Sequence, residues 1–302
     1  MRLSVVVTIV DGHDVLDRCL SALAAQQRPP ALEIIVPWDD TVAGIGALAA
    51  RYPTCRFLDL GRLATTRPAA SAAGQHELYD RRRAAGLAAA TGDIIAVLED
   101  RGVPDPDWAQ TMARLHRDLP HAAIGGAIEN GRDTYWHWAV YFCDFGRFHR
   151  PFAAGPRQWL SDINVGYKRR ALEQTRGLWR DRYHETTVHW ALLRDGETLY
   201  LTPDLVVRQM RVVGGVTALV AERFAWGRLF ARTRVREEGL PVQMARLTLA
   251  PLLPFLLFVR IGWTQVTRGG TRMKWLSASP LVFLLLVAWS LGEAAGYATA
   301  RA

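Results

Sequence analysis

Residues 92–108 hold an apolar run, Ile94 to Leu98, that leads directly into two adjacent carboxylates, Glu99 and Asp100. A short continuous apolar run is typical of a strand buried on both faces, as in parallel sheets. Glycine and prolines follow at once, which places the acidic pair at the carboxyl end of that strand. Ligands of open α/β sheets bind at this edge, and strand-end carboxylates can hold a divalent cation. Solvated acids at a plain strand end are the alternative.

The N-terminal third repeats this arrangement. Residues 4–10 form a β-branched apolar run, and residues 32–36 form a second one that ends before Asp39 and Asp40. Between them Asp14 is expected to cap a helix with one apolar side, formed by Val15, Leu16, Cys19, Leu20 and Leu23. Alternating strands and helices predict a mostly parallel sheet with helices on both faces, and the two acidic pairs would share its carboxyl edge.

Four motifs in this order resemble those of the family 2 glycosyltransferases, which have the GT-A fold. They are Ser4-Val5-Val6-Val7-Thr8, Glu33-Ile34-Ile35-Val36 with Asp39-Asp40-Thr41, Arg83-Ala84-Ala85-Gly86 with Ala90-Thr91-Gly92-Asp93, and Leu98-Glu99-Asp100-Arg101. The similarity runs over residues 3–235. The ordered set is more specific than any one motif, and it implies transfer of a sugar from a nucleotide-sugar donor.

The resemblance assigns the donor to strand-end residues. Asp39 would accept hydrogen bonds from the base or ribose, and Arg83 would contact the nucleotide or its diphosphate. Asp100, helped by Glu99, would bind Mg²⁺ or Mn²⁺, which stabilises a leaving group as a Lewis acid. Arg101 stands where the family often has a third acid. An arginine there would repel a cation and attract a diphosphate, so the alternative is that Arg101 takes over part of the charge neutralisation.

The acceptor side is assigned to two later segments. Residues 159–170 resemble the family's acceptor-side turn and include Trp159 and Asn164, and His189 follows in residues 183–190. Glu185 stands where the family carries its catalytic base, and a single base without a covalent nucleophile implies inversion at the anomeric carbon. The neighbouring acid of many relatives is absent, since Thr186 follows Glu185.

Two readings from other classes stay open. Altered motif positions, among them Ala84, Arg101 and Thr186, would fit a non-catalytic membrane protein that binds a nucleotide sugar or acts as a scaffold on the same fold. A dinucleotide-dependent oxidoreductase has little support, because no Gly-x-Gly-x-x-Gly follows the first strand.

The last third changes in composition. Aromatic residues crowd positions 135–148, where they would line an acceptor site or form core, and residues 224–236 are basic and amphipathic. That basic stretch would sit on anionic lipid, hold a diphosphate or form a solvated face. Leu247–Val259, broken by two prolines, is expected to be interfacial or re-entrant, and Leu276–Gly292 approaches the ~20 residues that span a bilayer. A two-helix hairpin through the membrane is the rival arrangement.

The net charge and the positions of basic residues limit which partners and which location we expect for this protein. The net charge is +8, yet we find no nucleic-acid-binding motif, so anionic lipid or phosphorylated substrates are expected. Basic residues flank the first apolar segment on both sides, and the chain opens in a core strand rather than a signal peptide. We therefore expect a glycosyltransferase domain at 1–240 on the cytoplasmic side of the cell membrane, a membrane-associated helical segment at 241–302, and a lipid-linked or other membrane-proximal acceptor. The oligomeric state is open.

Overall fold

The computed structural model describes residues 1–235, 239–268 and 270–299, with no description of the side chains at 72 and 233. The strands are β1 Arg2–Thr8, β2 Ala31–Trp38, β3 Arg56–Asp59, β4 Ile94–Glu99, β5 Gly102–Pro104, β6 Ala123–Asn130, β7 Gly155–Arg157, β8 Asn164–Lys168 and β9 Leu199–Gln209. The helices are α1 His13–Ala24, α2 Ile45–Arg51, α3 Ala72–Ala89, α4 Trp108–Asp118, α5 Tyr135–Asp144, α6 Arg169–Gln174, α7 Arg176–Trp179, α8 Glu185–Arg194, α9 Val216–Val235, α10 Leu240–Leu249, α11 Leu253–Arg268 and α12 Arg272–Ala298. Two 3₁₀ turns lie at Gly146–Phe148 and Ala250–Leu252.

One sheet organises the first part of the chain. Its strand order is β3-β2-β1-β4-β8-β6-β9-β5, with β7 paired to β9. The four strands β3, β2, β1 and β4 are parallel, and β8 then pairs antiparallel with β4. The predicted α/β architecture with a parallel central sheet is thus confirmed, and the carboxyl ends of β1, β2 and β4 lie side by side at one edge.

Helices cover both faces of this sheet, as predicted. On one face the core holds Leu3, Val5 and Val7 together with the apolar sides of α1 and α4. On the other face α3 approaches β1 so closely that a Cβ on Gly86 would lie 2.3 Å from Val6 Cγ1. Only glycine permits this approach, and it brings the preceding turn of α3 within reach of the strand ends.

The chain divides into two compact units, Met1–Glu129 with Phe152–Met210 and Asn130–Pro151 with Arg211–Ala302. The second unit is helical, and α12 packs on α9 backbone to backbone: a Cβ on Gly292 would lie 2.0 Å from the Phe224 carbonyl oxygen. The aromatic rings of α5 pack within this unit, with Trp138, Phe142 and Trp275 in contact. These contacts favour the core interpretation of the aromatic cluster, and the functional boundary expected at residue 240 stays a prediction.

Helix ends differ in detail from the sequence expectations. The N-cap of α1 is Gly12, which has a positive φ of 72°, rather than Asp14. Asp105 followed by Pro106 is typical of a helix start, but α4 begins two residues later, at Trp108 after Asp107. In each case the chain leaves the preceding strand through a turn that local capping preferences do not encode.

The C-terminal helices are longer than the two apolar segments that the sequence shows. Pro251 lies in the 3₁₀ turn Ala250–Leu252 and Pro254 in the first turn of α11. Neither proline ends the helical path, so residues 240–268 form a 29-residue stretch. This stretch and the 27-residue α12 are both long and apolar enough to cross a membrane. The expectation that only the second segment approaches spanning length was therefore wrong.

The basic stretch at 224–236 falls mostly on α9. Arg234 lies 3.5 Å from Glu293 of α12, and Arg228 donates to Thr299. These two cations therefore face into the second unit. Arg236 of the same stretch lies outside the described residues, and the lipid and diphosphate readings of this segment stay predictions.

Candidate active site

The donor edge predicted at the end of β2 contains a buried ion pair. Asp39 is fully buried, and its Oδ2 accepts a hydrogen bond from Arg82 Nε at 2.6 Å. Its Oδ1 accepts from the Thr41 amide at 2.9 Å and the Thr41 hydroxyl at 2.6 Å. Burial alone would raise the pKa of Asp39, but the hydrogen bonds from Arg82 and Thr41 outweigh it and hold the pKa below its ordinary value.

Arg82 is the residue that sequence reasoning missed here, because the motif resemblance pointed to its neighbour Arg83. The Arg82 guanidinium also donates to the Ile9 carbonyl at 2.8 Å and the Thr41 hydroxyl at 2.9 Å. It therefore ties the ends of β1 and β2 together. Arg81-Arg82-Arg83 is visible in the sequence, but only the rotation of α3 decides which arginine faces which strand.

Arg83 lies in a group of carboxylates rather than beside Asp39. Its Nη2 lies 2.9 Å from Glu99 Oε1 and 2.8 Å from Asp162 Oδ2, and its Nη1 lies 3.8 Å from Asp80 Oδ1. Its Nε donates to the Thr8 hydroxyl. Burial and the charge of Asp162 raise the pKa of Glu99 to about 7, against the pull of Arg83. Burial raises the pKa of Asp80 to about 7 as well.

Asp162 was not predicted. It precedes β8, two residues before the Asn164 that the acceptor-side motif singled out, and only the pairing of β8 with β4 brings it to Arg83. The signal available in the sequence was a carboxylate inside that same motif, Ser161-Asp162-Ile163-Asn164.

Glu185, the expected base, is the first residue of α8. Burial raises its pKa, the negative charge of Asp162 raises it further, and His184 and Arg83 act in the opposite direction. A raised pKa makes a carboxylate a stronger proton acceptor near neutral pH. The structure thus brings Glu185 into the same electrostatic neighbourhood as Arg83, Asp162 and Glu99.

The three acceptor-side residues take different positions. Asn164 is buried inside the sheet, where its Oδ1 accepts from Trp108 Nε1 and its Nδ2 donates to the Ala127 and Leu205 carbonyls. These bonds join strands, and a direct acceptor role for Asn164 stays a prediction. Trp159 is partly exposed, 38%, on the segment that leads to β8.

His189 lies behind Glu185 in a buried chain of hydrogen bonds. Its Nδ1 accepts from the Leu160 amide, its Nε2 bonds the Tyr167 hydroxyl at 2.7 Å, and that hydroxyl bonds the Tyr183 hydroxyl at 2.7 Å. Burial lowers the pKa of His189 to about 4, so the ring is neutral at physiological pH. It supports α8 from inside, and its predicted contact with an acceptor stays a prediction.

Asp100 shapes the loop after β1. Its Oδ2 accepts from three consecutive backbone amides, those of Val10, Asp11 and Gly12, at 2.7–3.0 Å. Burial raises the pKa of Asp100 to about 6, although these amide donors oppose the shift. Gly12 and His13 both have positive φ, so the carboxylate holds a loop conformation that most residues disfavour.

Arg101 follows at the same strand end. Its guanidinium donates two hydrogen bonds to Asp11, from Nε to Oδ2 at 2.8 Å and from Nη2 to Oδ1. The side chain is 20% exposed, so it reaches the protein surface from within this group of acids.

The sequence profile of glycosyl transferase family 2 matches residues 4–176, more than half of the chain. The chain belongs to glycosyl transferase family 2. It is therefore a glycosyltransferase, and the family match supports transfer from a nucleotide sugar.

Two solved structures align with this chain over most of its length, and the first supports the fold. The mannosyltransferase PcManGT from Pyrobaculum calidifontis, in complex with GDP-Man and Mn²⁺, aligns with a TM-score of 0.54 at 16% identity, covering 94% of this chain and 86% of that one. TarS 1–349 from S. aureus aligns with a TM-score of 0.49 at 12% identity, covering 95% and 81%. No curated protein sequence matches this chain. The first likeness, with the family match, confirms the predicted GT-A fold.

The expected divalent cation has no matching set of ligands in this glycosyltransferase. Within residues 1–235, 239–268 and 270–299, no three or more His, Cys, Asp and Glu side chains are grouped to hold a metal. Glu99 is paired with Arg83, Asp100 accepts three amides through Oδ2, and Arg101 places a positive charge beside both acids. Among the described residues the buried Asp100 Oδ1 has no hydrogen-bond partner, so this pair offers a cation one buried, uncommitted oxygen. A cation prefers several free oxygen ligands, so these residues as arranged do not fit Mg²⁺ or Mn²⁺.

Proposed function

We propose that this protein is an inverting glycosyltransferase of the cytoplasmic membrane face. It moves a sugar from a nucleotide-sugar donor to a hydroxyl group of a membrane lipid or lipid-linked acceptor. The observation that carries the proposal is the electrostatic coupling, at one sheet edge, of the half-buried carboxylate Glu185, whose pKa is raised, and the buried cation Arg83. A proton acceptor and a cation are what transfer to a hydroxyl with a diphosphate leaving group requires.

The reaction distributes its charges over these residues. The acceptor oxygen forms a bond to the anomeric carbon as the bond from that carbon to the diphosphate oxygen breaks. The electron pair of the broken bond leaves with the diphosphate, and the acceptor proton passes to Glu185. Attack opposite the leaving group in one step inverts the configuration at that carbon. Asp39, held by Arg82 and Thr41, serves the nucleoside end of the donor.

Substitution of Glu185 tests the base. We expect Glu185→Gln to lower turnover by ~10²–10⁴-fold, because the amide accepts no proton in the transition state. Donor affinity, measured by titration calorimetry, should change little. Glu173→Gln is the matched control, since Glu173 is an exposed acid paired with Arg176. Turnover of Glu185→Gln close to that of Glu173→Gln would remove Glu185 from the mechanism.

The charge of Asp162 offers a second test of the same base. Because Asp162 raises the pKa of Glu185, Asp162→Asn should lower it. A base with a lower pKa stays deprotonated at lower pH, so the acidic limb of the turnover profile should move toward lower pH. An unmoved acidic limb in Asp162→Asn would contradict the assignment.

The donor screen uses UDP-, GDP- and dTDP-sugars, each with Mn²⁺ and with EDTA, because the resemblance implied a cation.

The membrane part of the proposal rests on exposed apolar side chains of α11. Leu256, Val259 and Trp263 are 65%, 67% and 72% exposed, and with Leu252 and Phe255 they line an open groove of about 510 Å³. Lipid tails cover such a face without loss of hydrogen bonds, whereas in water it is a large exposed apolar patch. Basic residues flank residues 247–259 on both sides, which supports cytoplasmic flanks. They are Arg234, Arg236 and Arg246 before it and Arg268, Arg272 and Lys274 after it.

Vesicle binding tests this face. We expect the full-length protein to co-sediment with vesicles that contain phosphatidylglycerol, and Leu256→Glu to weaken that binding because a charge must then enter the apolar layer. Leu178→Glu is the control, since Leu178 is an exposed leucine of α7. Equal binding by both variants, or a full-length protein that stays in the supernatant, would contradict the membrane assignment.

A further inference from the structure

The acids around the end of β4 are already engaged. Asp100 accepts hydrogen bonds from three backbone amides, Glu99 forms an ion pair with Arg83 at 2.9 Å, and Asp11 forms an ion pair with Arg101. Each of these carboxylates thus accepts from a protein donor, and among the described residues the buried Asp100 Oδ1 is the buried oxygen of the strand-end acids Glu99 and Asp100 that has no hydrogen-bond partner. Arg101 occupies the next position, where the family often has a third acid, so a guanidinium stands there in place of a carboxylate.

The contacts of Arg101 leave part of its guanidinium able to bind a ligand. Its bonds to Asp11 use Nε and Nη2, and among the described residues no hydrogen bond or ion pair engages Nη1. The side chain is neither free in solvent nor enclosed, since 20% of its surface is exposed. Asp11 therefore fixes one edge of a planar group while the other edge remains able to donate. Burial would lower the pKa of Arg101, but the hydrogen bond and charge of Asp11, with smaller contributions from Glu99 and Asp100, outweigh it and hold the pKa above the ordinary value.

We propose that Arg101, clamped by Asp11, stands in for the divalent cation and binds the diphosphate of the donor, so that this enzyme binds its nucleotide sugar without a metal. The inference rests on the proposed function, since it presumes a nucleoside diphosphate in the cleft. A guanidinium matches phosphate oxygens with a planar set of N–H donors. Because it is covalently fixed and pre-oriented by Asp11, it neutralises charge on the leaving group without prior capture of an ion from solution.

Nucleotide binding by the full-length wild-type protein gives the first measurement. Titration calorimetry with UDP and with GDP is carried out in EDTA and, separately, in Mn²⁺. For the diphosphate that binds, we expect affinities within about twofold of each other in the two conditions. Binding that is tenfold or more tighter in Mn²⁺ would overturn the proposal, and this comparison needs no substitution that endangers folding.

Substitution of Arg101 gives the second measurement. Arg101→Gln should lower affinity for the diphosphate by roughly 10-fold to 100-fold, because a charge-assisted contact is lost, and should change affinity for the matching monophosphate less than threefold. Arg117→Gln is the control, because Arg117 is an exposed arginine paired only with its neighbour Asp118 among the described residues. Equal losses in both variants, or an unchanged diphosphate affinity in Arg101→Gln, would overturn the proposal.

The two hypotheses fail in different ways. If the wild-type protein binds neither the diphosphates nor the monophosphates in either condition, the donor assignment itself is refuted and this inference falls with it. If nucleotides bind but need Mn²⁺, the proposed function stands and only the role of Arg101 is refuted. A folded Arg101→Gln variant, checked by circular dichroism, that loses monophosphate binding as strongly as diphosphate binding also refutes a role specific to the diphosphate.

Discussion

The Arg82–Asp39 pair gives a sharp prediction about stability. Both side chains are buried, 2% and 0% exposed, and Arg82 donates to Asp39, Ile9 and Thr41. Arg82→Gln removes the charge that compensates a buried carboxylate. Loss of one partner of a buried ion pair costs about 3–5 kcal/mol, and three hydrogen bonds at a net value of ~1 kcal/mol each lead to the lower end of that range.

A matched surface pair isolates the effect of burial. Arg51 lies 2.8 Å from Asp17, a distance close to the 2.6 Å of Arg82 and Asp39, but it is 63% exposed. Exposed pairs contribute about 0–1 kcal/mol, so Arg51→Gln should leave the melting temperature nearly unchanged. Arg82→Gln should lower it by roughly 6–20 °C, at ~2–4 °C per kcal/mol for a unit of this size.

The pH dependence supplies an independent check. Hydrogen bonds from Arg82 help to hold the pKa of Asp39 below its ordinary value, so in Arg82→Gln that pKa rises. The folded variant then takes up a proton as the pH falls. The difference in free energy of unfolding between wild type and Arg82→Gln should therefore shrink from pH 8 to pH 5. Melting is followed by circular dichroism in detergent. If the loss of unfolding free energy in Arg82→Gln is within about 1 kcal/mol of the loss in Arg51→Gln, the reasoning is refuted.

Three further outcomes follow from other parts of the molecule. Burial raises the pKa of Glu99 from 4.5 to about 7, which destabilises the folded state as the pH rises through that window, so Glu99→Gln should gain up to roughly 3 kcal/mol relative to wild type between pH 5 and pH 8 in melting experiments. Asp100→Ala leaves three amides without their acceptor, so hydrogen exchange at residues 10–12 should accelerate at least tenfold; unchanged exchange would show that the loop holds itself. Gly292→Ala places a methyl group against a backbone carbonyl 2.0 Å away and should cost about 1–3 kcal/mol, whereas Gly177→Ala, with open space around it, should not destabilise; equal melting would contradict the close helix contact.

The sequence by itself determined the elements and their order. The run Ile94–Leu98 became the buried strand β4, and the five apolar residues predicted for α1 are the buried ones. Apolar periodicity is a local property, because each side chain's face is fixed by its position in a strand or helix. The ordered motifs likewise carried the family and the fold, and with the sheet order they placed Asp39, Glu99 and Asp100 at strand ends of one edge.

Tertiary structure decided which groups meet. Arg82 and Arg83 are adjacent, yet about 100° of helix rotation sends one to Asp39 and the other to Glu99. Asp162 joined the site only because β8 pairs antiparallel with β4. Asp100 turned to the β1 loop, which left Arg101 as the cation at that strand end. These contacts depend on strand order, on the approach that Gly86 permits and on side-chain reach, and none of these has a local signature in the sequence.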